Sequence, residues 1–305
     1  MKLSIVIPVF QAEHSIEGVV HELLVDPYLK TLKWELIMVD DFSQDESWNI
    51  IKQLSDKHKQ VLGICLHKNC GQHTATFVGL KEAKGKYLLT LDDDGEHPIK
   101  EIPKMIEEIK KRSADVVYAS PRKRKKSRLR VILSQGFKAS AKLFSDGYGN
   151  GSSFRLIEKS IYYQIQKHKT PFVFIDEILA WYTKNVVFLP MEFRKAQKVS
   201  TYKPKRLFSL YSDIMYTYSS FPAQFLTRVG FGGSIISLGF GVFFIIKKLF
   251  FRAQLGFTSI AVSILFSASV ILLGLGIIAQ YIYRQNRLLN EYPQYSIKHR
   301  TDERR

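Results

Sequence analysis

Through the first 120 residues, short apolar runs alternate with segments in which apolar positions recur at helical spacing. LSIVIPVF (3–10), WELIMVDD (34–41), VLGICLHKN (61–69), YLLTLDDD (87–94) and ADVVYAS (114–120) read as strands. Between them SIEGVVHELLVDPYL (15–29), with Ser15 as a candidate cap, DESWNIIKQLSDKH (45–58), GQHTATFVGLKEAKG (71–85) and IKEIPKMIEEIKKR (99–112) read as helices. This alternation predicts an α/β fold built on a doubly wound, mainly parallel sheet. Ligands of such sheets bind outside the carboxyl ends of the strands. Asp40–Asp41 and Asp92–Asp94 both fall at such ends.

The pattern changes after residue 200. TYKPKRLFSLYSDIMYTYSSFPAQFL (201–226) mixes aromatics, Leu and Ser with bases at its start, and reads as amphipathic helices in a membrane interface. Residues 229–246 then run for 18 positions without a charge, and 255–283 for 29. An α-helix needs about 20 apolar residues to cross the hydrocarbon core. The first run is short and holds five glycines, which membrane helices tolerate and use for close packing. Only KKLFFRAQ separates the two runs, so they predict a hairpin with both ends on one side. The expected organisation is an α/β domain over 1–200, interface helices over 201–226, a transmembrane hairpin over 227–283 and a basic tail over 284–305.

Charge refines this. Forty-five Lys and Arg stand against 28 Asp and Glu, a net +17, which implies an anionic partner: nucleic acid, an acidic membrane surface or a phosphorylated substrate. The hairpin argues against nucleic acid. Bases before it (Lys203, Lys205, Arg206, Arg228) and after it (Arg284, Arg287, Lys298, Arg300, Arg304, Arg305) outnumber the three in its turn. The positive-inside rule therefore places the α/β domain and both termini in the cytoplasm, on a multi-pass protein of the inner membrane. MKLSIVIPVF is too short and Pro-broken for a signal peptide. The two cysteines, Cys65 and Cys70, form neither a disulfide framework nor a metal cluster and suit a reducing compartment. PRKRKKSRLR (121–130) reads either as a solvated loop or as a basic surface for anionic headgroups or an acceptor phosphate.

The candidate chemistry centres on LTLDDDGEHP (89–98), where three adjacent carboxylates need a cation. Asp92 and Asp94, two apart on a strand end, point to one side. Such a pair suits Mg²⁺ or Mn²⁺ shared with substrate phosphates, although an isolated pair of this kind is more often a turn. His73 and His97 flank the site but lack the spaced partners of a metal cluster. Trp181 and Tyr182 read as core or interface anchors more readily than as a sugar platform.

Four segments occur in order: VIPVFQAE (6–13), VDDFSQDES (39–47), KNCGQHTATFVGLKEAKG (68–85) and LDDDGEHP (91–98). Together they resemble the GT-A-fold inverting glycosyltransferases that use nucleotide sugars. The likeness is to the polyprenyl-phosphate branch, relatives of dolichyl-phosphate mannose synthase and bactoprenol glucosyltransferase, and runs from residue 3 to about residue 285. It implies that Pro8, Val9, Phe10 and Glu13 line the nucleotide and that Asp40, Asp41 and Ser43 contact its base. It also implies that Asp92 and Asp94 hold the metal and diphosphate, with Asp94 the more direct ligand. Asp93 is then either a ribose- or donor-facing position or solvated. In GSSFRL (151–156), Arg155 matches the arginine that reaches phosphate.

Two departures stand out. The family's Leu-Gln after the acidic motif is Gly95-Glu96 here. Its acceptor loop is matched by FRKAQKVSTY only with Lys195 in the arginine place and Lys198 in the glycine place, keeping Ser200 and Tyr202; Arg194 is an alternative cation.

The acceptor class follows from chemistry. A sugar hydroxyl needs a general base, whereas a lipid phosphate is already anionic and needs cations to dock it. Arg155, Arg194, Lys195 and Lys198 supply cations. Asp176 or Glu177, in FIDEILAW, would supply a base or else complement a helix N-terminus. The expected activity is transfer of a sugar from a nucleotide-diphosphate sugar to polyprenyl phosphate, with inversion. Transfer to a hydroxyl of a lipid-linked glycan and a catalytically silent membrane scaffold are the alternatives, and homo-oligomerisation is left open.

Overall fold

The computed structural model describes residues 2–121, 152–167, 174–194 and 295–302, with scattered positions between 228 and 285. The chain divides into two compact units, Met1–Pro204 with Pro293–Arg305, and Lys205–Tyr292.

The first unit is built on one sheet of eight strands in the order β7-β5-β6-β4-β1-β2-β3-β8. These are β1 (Lys2–Val9), β2 (Lys33–Asp40), β3 (Val61–Leu66), β4 (Tyr87–Thr90), β5 (Val116–Pro121), β6 (Arg155–Glu158), β7 (Val186–Met191) and β8 (Ile297–Arg300). Strands β1 to β4 are mutually parallel, as the sequence pattern predicts. The sheet as a whole is mixed, because β6 runs antiparallel to both β4 and β5, and β8 antiparallel to β3. The parallel centre is covered on both faces, which is why its strands read as unbroken apolar runs. In β1 every residue but Lys2 is buried.

Helices α1 (Ile16–Val25), α3 (Ser47–Lys57), α4 (Gln72–Glu82) and α5 (Ile102–Lys111) cover the sheet. Helices α1, α3 and α5 bury residues at helical spacing, such as Ile102, Met105, Ile106 and Ile109 of α5, whereas α4 is buried continuously from Ala75 to Leu80. The continuous helix expected over 15–29 is two. Asp26 is extended at ψ 123, because a residue preceding proline is excluded from the helical region. Its side chain then accepts from the N–H groups of Tyr28 and Leu29 at 3.0 and 2.9 Å and starts α2 (Pro27–Lys30). Two further helices, α6 (Lys159–Gln166) and α7 (Ile175–Tyr182), follow β6.

In the second unit every described position between 228 and 285 is helical. Ile246, Phe250, Ile260, Ile264, Ile271, Leu275, Ile278 and Ile282 are exposed there, Phe250 at 76%. Among the described residues no helix is long and apolar enough to cross a membrane. The expected interface helices and most of the expected hairpin lie outside the described residues.

Candidate active site

The sheet order reverses beside β1, between β4 and β2, and loops from the carboxyl ends of these strands meet there. The loop after β1, which carries Phe10 and Glu13, has its N–H groups taken by side chains of other loops. Phe10 donates to Asp93 Oδ2 at 3.0 Å, Gln11 to Ser43 Oγ at 3.0 Å, Ala12 to Ser47 Oγ at 2.8 Å and Glu13 to Asp45 Oδ2 at 3.2 Å. Glu13 in turn accepts from the Glu46 N–H at 3.0 Å. Gln11 and Phe42 both hold a positive φ, 50° and 62°. Such strain costs about 1–3 kcal/mol per residue and persists only where surrounding bonds fix it, as they do here.

Asp40 and Asp41 face inward. Asp40 is fully buried, accepts from the Ser43 N–H and the Cys65 thiol, and has its carboxyl raised by that burial. Asp41 accepts from the N–H groups of Cys70 and Gly71 at 2.7 and 2.8 Å, holding the turn before α4. These residues shape the wall on the β2 side. Phe10 stands at its surface, 38% exposed, while Pro8 and Val9 belong to β1.

The acidic turn follows β4. Asp92 accepts from Ser153 Oγ and Gln72 Nε2, both at 2.5 Å. Burial first, then the neighbouring Asp94 carboxylate, pushes the Asp92 carboxyl up to about 6 against the pull of these hydrogen bonds and of Arg155. Asp94 accepts the Glu96 N–H at 2.9 Å through Oδ1. Burial, then Asp94 and Asp92, raises the Glu96 carboxyl. His97 is buried, stacks on Phe154 at 4.9 Å and takes the Asp92 N–H on Nδ1 at 3.0 Å. Burial lowers its pKa to about 4, so the ring is neutral and its proton sits on Nε2. His97 therefore braces the acidic turn from behind.

Among the described residues no cluster of three or more His, Cys, Asp or Glu could hold a metal alone. Two carboxylates that repel each other still fit Mg²⁺ or Mn²⁺, cations that take one or two protein carboxylates and complete their shell with substrate phosphate and water.

Beside the acidic turn, β6 pairs with β4 so that Arg155 lies opposite Thr90 and with β5 so that it lies opposite Tyr118. Arg155, 2% exposed, donates through Nη1 to Asp176 Oδ1, and Tyr118 donates its hydroxyl to the same oxygen at 2.8 Å. Arg155 Nε is buried without a hydrogen-bond partner among the described residues. Burial, reinforced by Asp176, keeps Tyr118 protonated. His73, neutral because burial lowers its pKa to about 4, packs on Phe174 at 4.3 Å. Glu177 is buried in the first turn of α7.

The structure thus gathers Phe10, Glu13, Asp40, Asp41, Ser43, Asp92, Asp93 and Asp94 in the loops at the carboxyl ends of β1, β2 and β4, with the Arg155–Asp176 pair next to them. Arg194 instead makes a bidentate pair with Glu22, both bonds 2.6 Å, while its backbone N–H meets the Glu96 carbonyl at 2.9 Å. Lys195, Lys198, Ser200 and Tyr202 lie outside the described residues. Gln72, Tyr118 and Ser153 enter the site without having been singled out in the sequence. Ser153, two residues before Arg155, and Gln72, beside His73 in the 68–85 segment, both stood near a recognised signal.

This mixed sheet with an acidic turn at its reversal point is a GT-A-type fold, and the chain belongs to Glycosyl transferase family 2, whose sequence profile matches residues 4–175. It is 29% identical, over 98% of both chains, to the SfII prophage-derived bactoprenol glucosyl transferase of Shigella flexneri. It is 27% identical, over 97% of this chain and 91% of the relative, to the undecaprenyl-phosphate 4-deoxy-4-formamido-L-arabinose transferase of Shewanella sediminis (strain HAW-EB3). Among solved structures, glucosyl-3-phosphoglycerate synthase from Mycobacterium tuberculosis, in complex with Mn2+, uridine diphosphate and phosphoglyceric acid, superposes with a TM-score of 0.51 at 15% identity, over 71% of this chain and 76% of that one.

Proposed function

We propose that this chain is a membrane-bound inverting glycosyltransferase that moves a sugar from a nucleoside-diphosphate sugar to polyprenyl phosphate for cell-envelope glycan synthesis or modification. The observation that carries the choice of acceptor is the buried pair of Arg155 with Asp176. A hydroxyl acceptor needs a carboxylate free to take its proton. Asp176 is instead spent on a guanidinium and a phenol, and Glu177, the other candidate, is buried in α7. A phosphate acceptor needs no base, and Arg155 Nε is a buried donor positioned beside the acidic turn. Relatives of near-equal length whose names specify bactoprenol and undecaprenyl phosphate support the same choice.

The residues act as follows. The loops after β1 and β2 hold the nucleoside. Asp94, with Asp92 fixed by Ser153, Gln72 and His97, faces the diphosphate and would hold Mg²⁺ or Mn²⁺. When bound, that cation neutralises the diphosphate leaving group. Arg155 orients the acceptor phosphate. Its oxygen forms a bond to the anomeric carbon as the bond to the diphosphate breaks on the opposite face, the electron pair leaving with the nucleoside diphosphate.

The membrane setting has its own support. The second unit begins after Pro204 and ends before Pro293, with the same first unit on either side. A segment that leaves and rejoins one domain crosses a bilayer an even number of times, which suits a hairpin. The exposed aliphatic residues at helical positions from 246 to 282 suit lipid contact. The charge bias places the first unit in the cytoplasm.

The test is incubation of membranes with a panel of radiolabelled nucleotide sugars and undecaprenyl phosphate, followed by organic extraction. The expected product is lipid-soluble, released by mild acid, and lost on chelation of divalent cations. Asp94→Asn keeps an oxygen for the Glu96 N–H yet is expected to abolish transfer. An acid-stable product that forms in chelator would overturn the reading.

A further inference from the structure

We infer that the last strand of the chain belongs to the donor site, with Lys298 as the residue that positions the nucleotide-side loop. This rests on the reading of the Asp40–Ser43 loop as the wall for the nucleoside.

Strand β8 is fastened to the edge of the sheet beside that loop. His67 donates its N–H to the Ser296 carbonyl and Thr301 donates to the Gly63 carbonyl, at 3.0 and 3.1 Å. Thr301 Oγ1 accepts from the Gly63 N–H at 2.9 Å and from Ser55 Oγ at 2.8 Å. Arg300 forks onto Glu82 at 2.9 and 3.0 Å. Between these anchors the pairing slips. Cys65 faces His299 but Leu66 faces Ile297, so Lys298 is the extra residue of a bulge. A bulge takes one side chain out of the ladder and re-aims it. Here it aims an exposed ammonium over the Phe42 ring, 6.0 Å from its centroid.

Phe42 is the residue that such a contact can govern. It sits at φ 62° between Asp41, spent on Cys70 and Gly71, and Ser43, spent on Gln11. Its neighbours are fixed by hydrogen bonds, while its half-buried ring is held on the β8 side by Lys298. The cation sets where the ring stands in the wall, and the attraction strengthens when a bound nucleotide excludes water from the pair. The donor site is thereby completed by a strand that follows the second unit in sequence.

The test measures binding of the tightest of uridine, guanosine and cytidine diphosphates to the purified full chain in detergent. Lys298→Met keeps the aliphatic stem and removes the charge; Lys298→Arg restores it; Phe42→Leu removes the ring; Asp41→Asn is the control for the site. The expected result is a Kd raised about three- to tenfold by Lys298→Met and by Phe42→Leu, with the double variant no weaker than the weaker single. Lys298→Arg should bind as the wild type, whereas Lys298→Met should raise the donor KM while kcat at saturating donor holds. If Asp41→Asn weakens binding and Lys298→Met does not, this inference falls alone. If neither weakens binding, the nucleotide-wall reading falls with it. Additive losses accompanied by a lower melting temperature would reduce Lys298 to a structural role and overturn the inference.

Discussion

Asp176 and Arg155 form a unit whose two halves answer differently to mutation. Removing one partner of a buried ion pair leaves a charge uncompensated, at a cost of about 3–5 kcal/mol, whereas removing both is far milder. Asp176→Asn keeps an acceptor for Tyr118 but strands the Arg155 guanidinium, which is 2% exposed. Denaturant unfolding should show a large loss of stability in Asp176→Asn that Arg155→Met largely reverses. If Arg155 docks the acceptor as proposed, transfer to polyprenyl phosphate should stay lost in the double variant, which lacks that cation. A double variant that is both stable and active would show that Arg155 does not touch the acceptor. Cys65 offers a second residue-level test. Burial first, then Asp40, pushes its thiol from an ordinary value near 9 up to about 12. In that interval the folded chain keeps a proton that the unfolded chain releases. The associated stability is fully present below pH 9 and is lost as pH rises toward 12. At pH 8 Cys65 should therefore resist alkylation until denaturant is added, and Cys65→Ala should flatten the alkaline fall in stability.

Elements differ in how plainly the sequence announces them. Strands β1 to β4 were legible because a parallel strand buried on both faces must be apolar throughout. The interruption at Asp26-Pro27 carried a local signal, the proline, that the helical periodicity on either side outweighed. Strands β6 and β8, four residues each, have too few positions for a period, and IKHR is as polar as a tail. The candidate site divides in the same way. Three adjacent aspartates raise the question of a cation, and the three accompanying segments are what weigh against a simple turn. Gln72 and Tyr118 become site residues only through partners 20 and 58 positions away, Asp92 and Asp176; Gln72 lies in a recognised segment, but nothing local marks Tyr118. The anchoring of β8 can be tested apart from its role at the donor site. Thr301→Val keeps the shape of the side chain and removes the oxygen that serves both the Gly63 N–H and the Ser55 hydroxyl. Leaving a buried N–H unpaired costs about 1–3 kcal/mol, so chemical denaturation should report a loss of that size. Thr301→Ser, which retains the oxygen, should lose much less.

At the scale of the whole molecule, the path of the chain constrains the membrane arrangement more tightly than hydropathy does. Strand β8 lies in the same sheet as β1, so whatever the intervening segment does in the bilayer, it must return to the side it left. One crossing is excluded if it spans at all; two crossings place KKLFFRAQ on the far face. Helices that only lie in the interface would keep that turn on the near face. The net +17, concentrated before and after the apolar runs, favours an anionic cytoplasmic surface for the near side. These alternatives separate on a single residue in the turn. Ala253→Cys should react with a membrane-impermeant maleimide added to intact cells. The native Cys65 and Cys70 should not, since both belong to the first unit and burial raises both thiols. Permeabilising the cells should then expose a cysteine introduced at the surface-exposed Lys30 of the first unit, which intact cells protect. Carbonate washing should leave the full chain in the membrane fraction if the exposed apolar side chains of the second unit meet lipid as proposed. Labelling of Ala253→Cys only after permeabilisation, with retention unchanged, would replace the spanning hairpin by a segment that enters and leaves through one face. The number of crossings would still be even, at zero, and a lipid acceptor of the proposed kind would then be met from one surface alone.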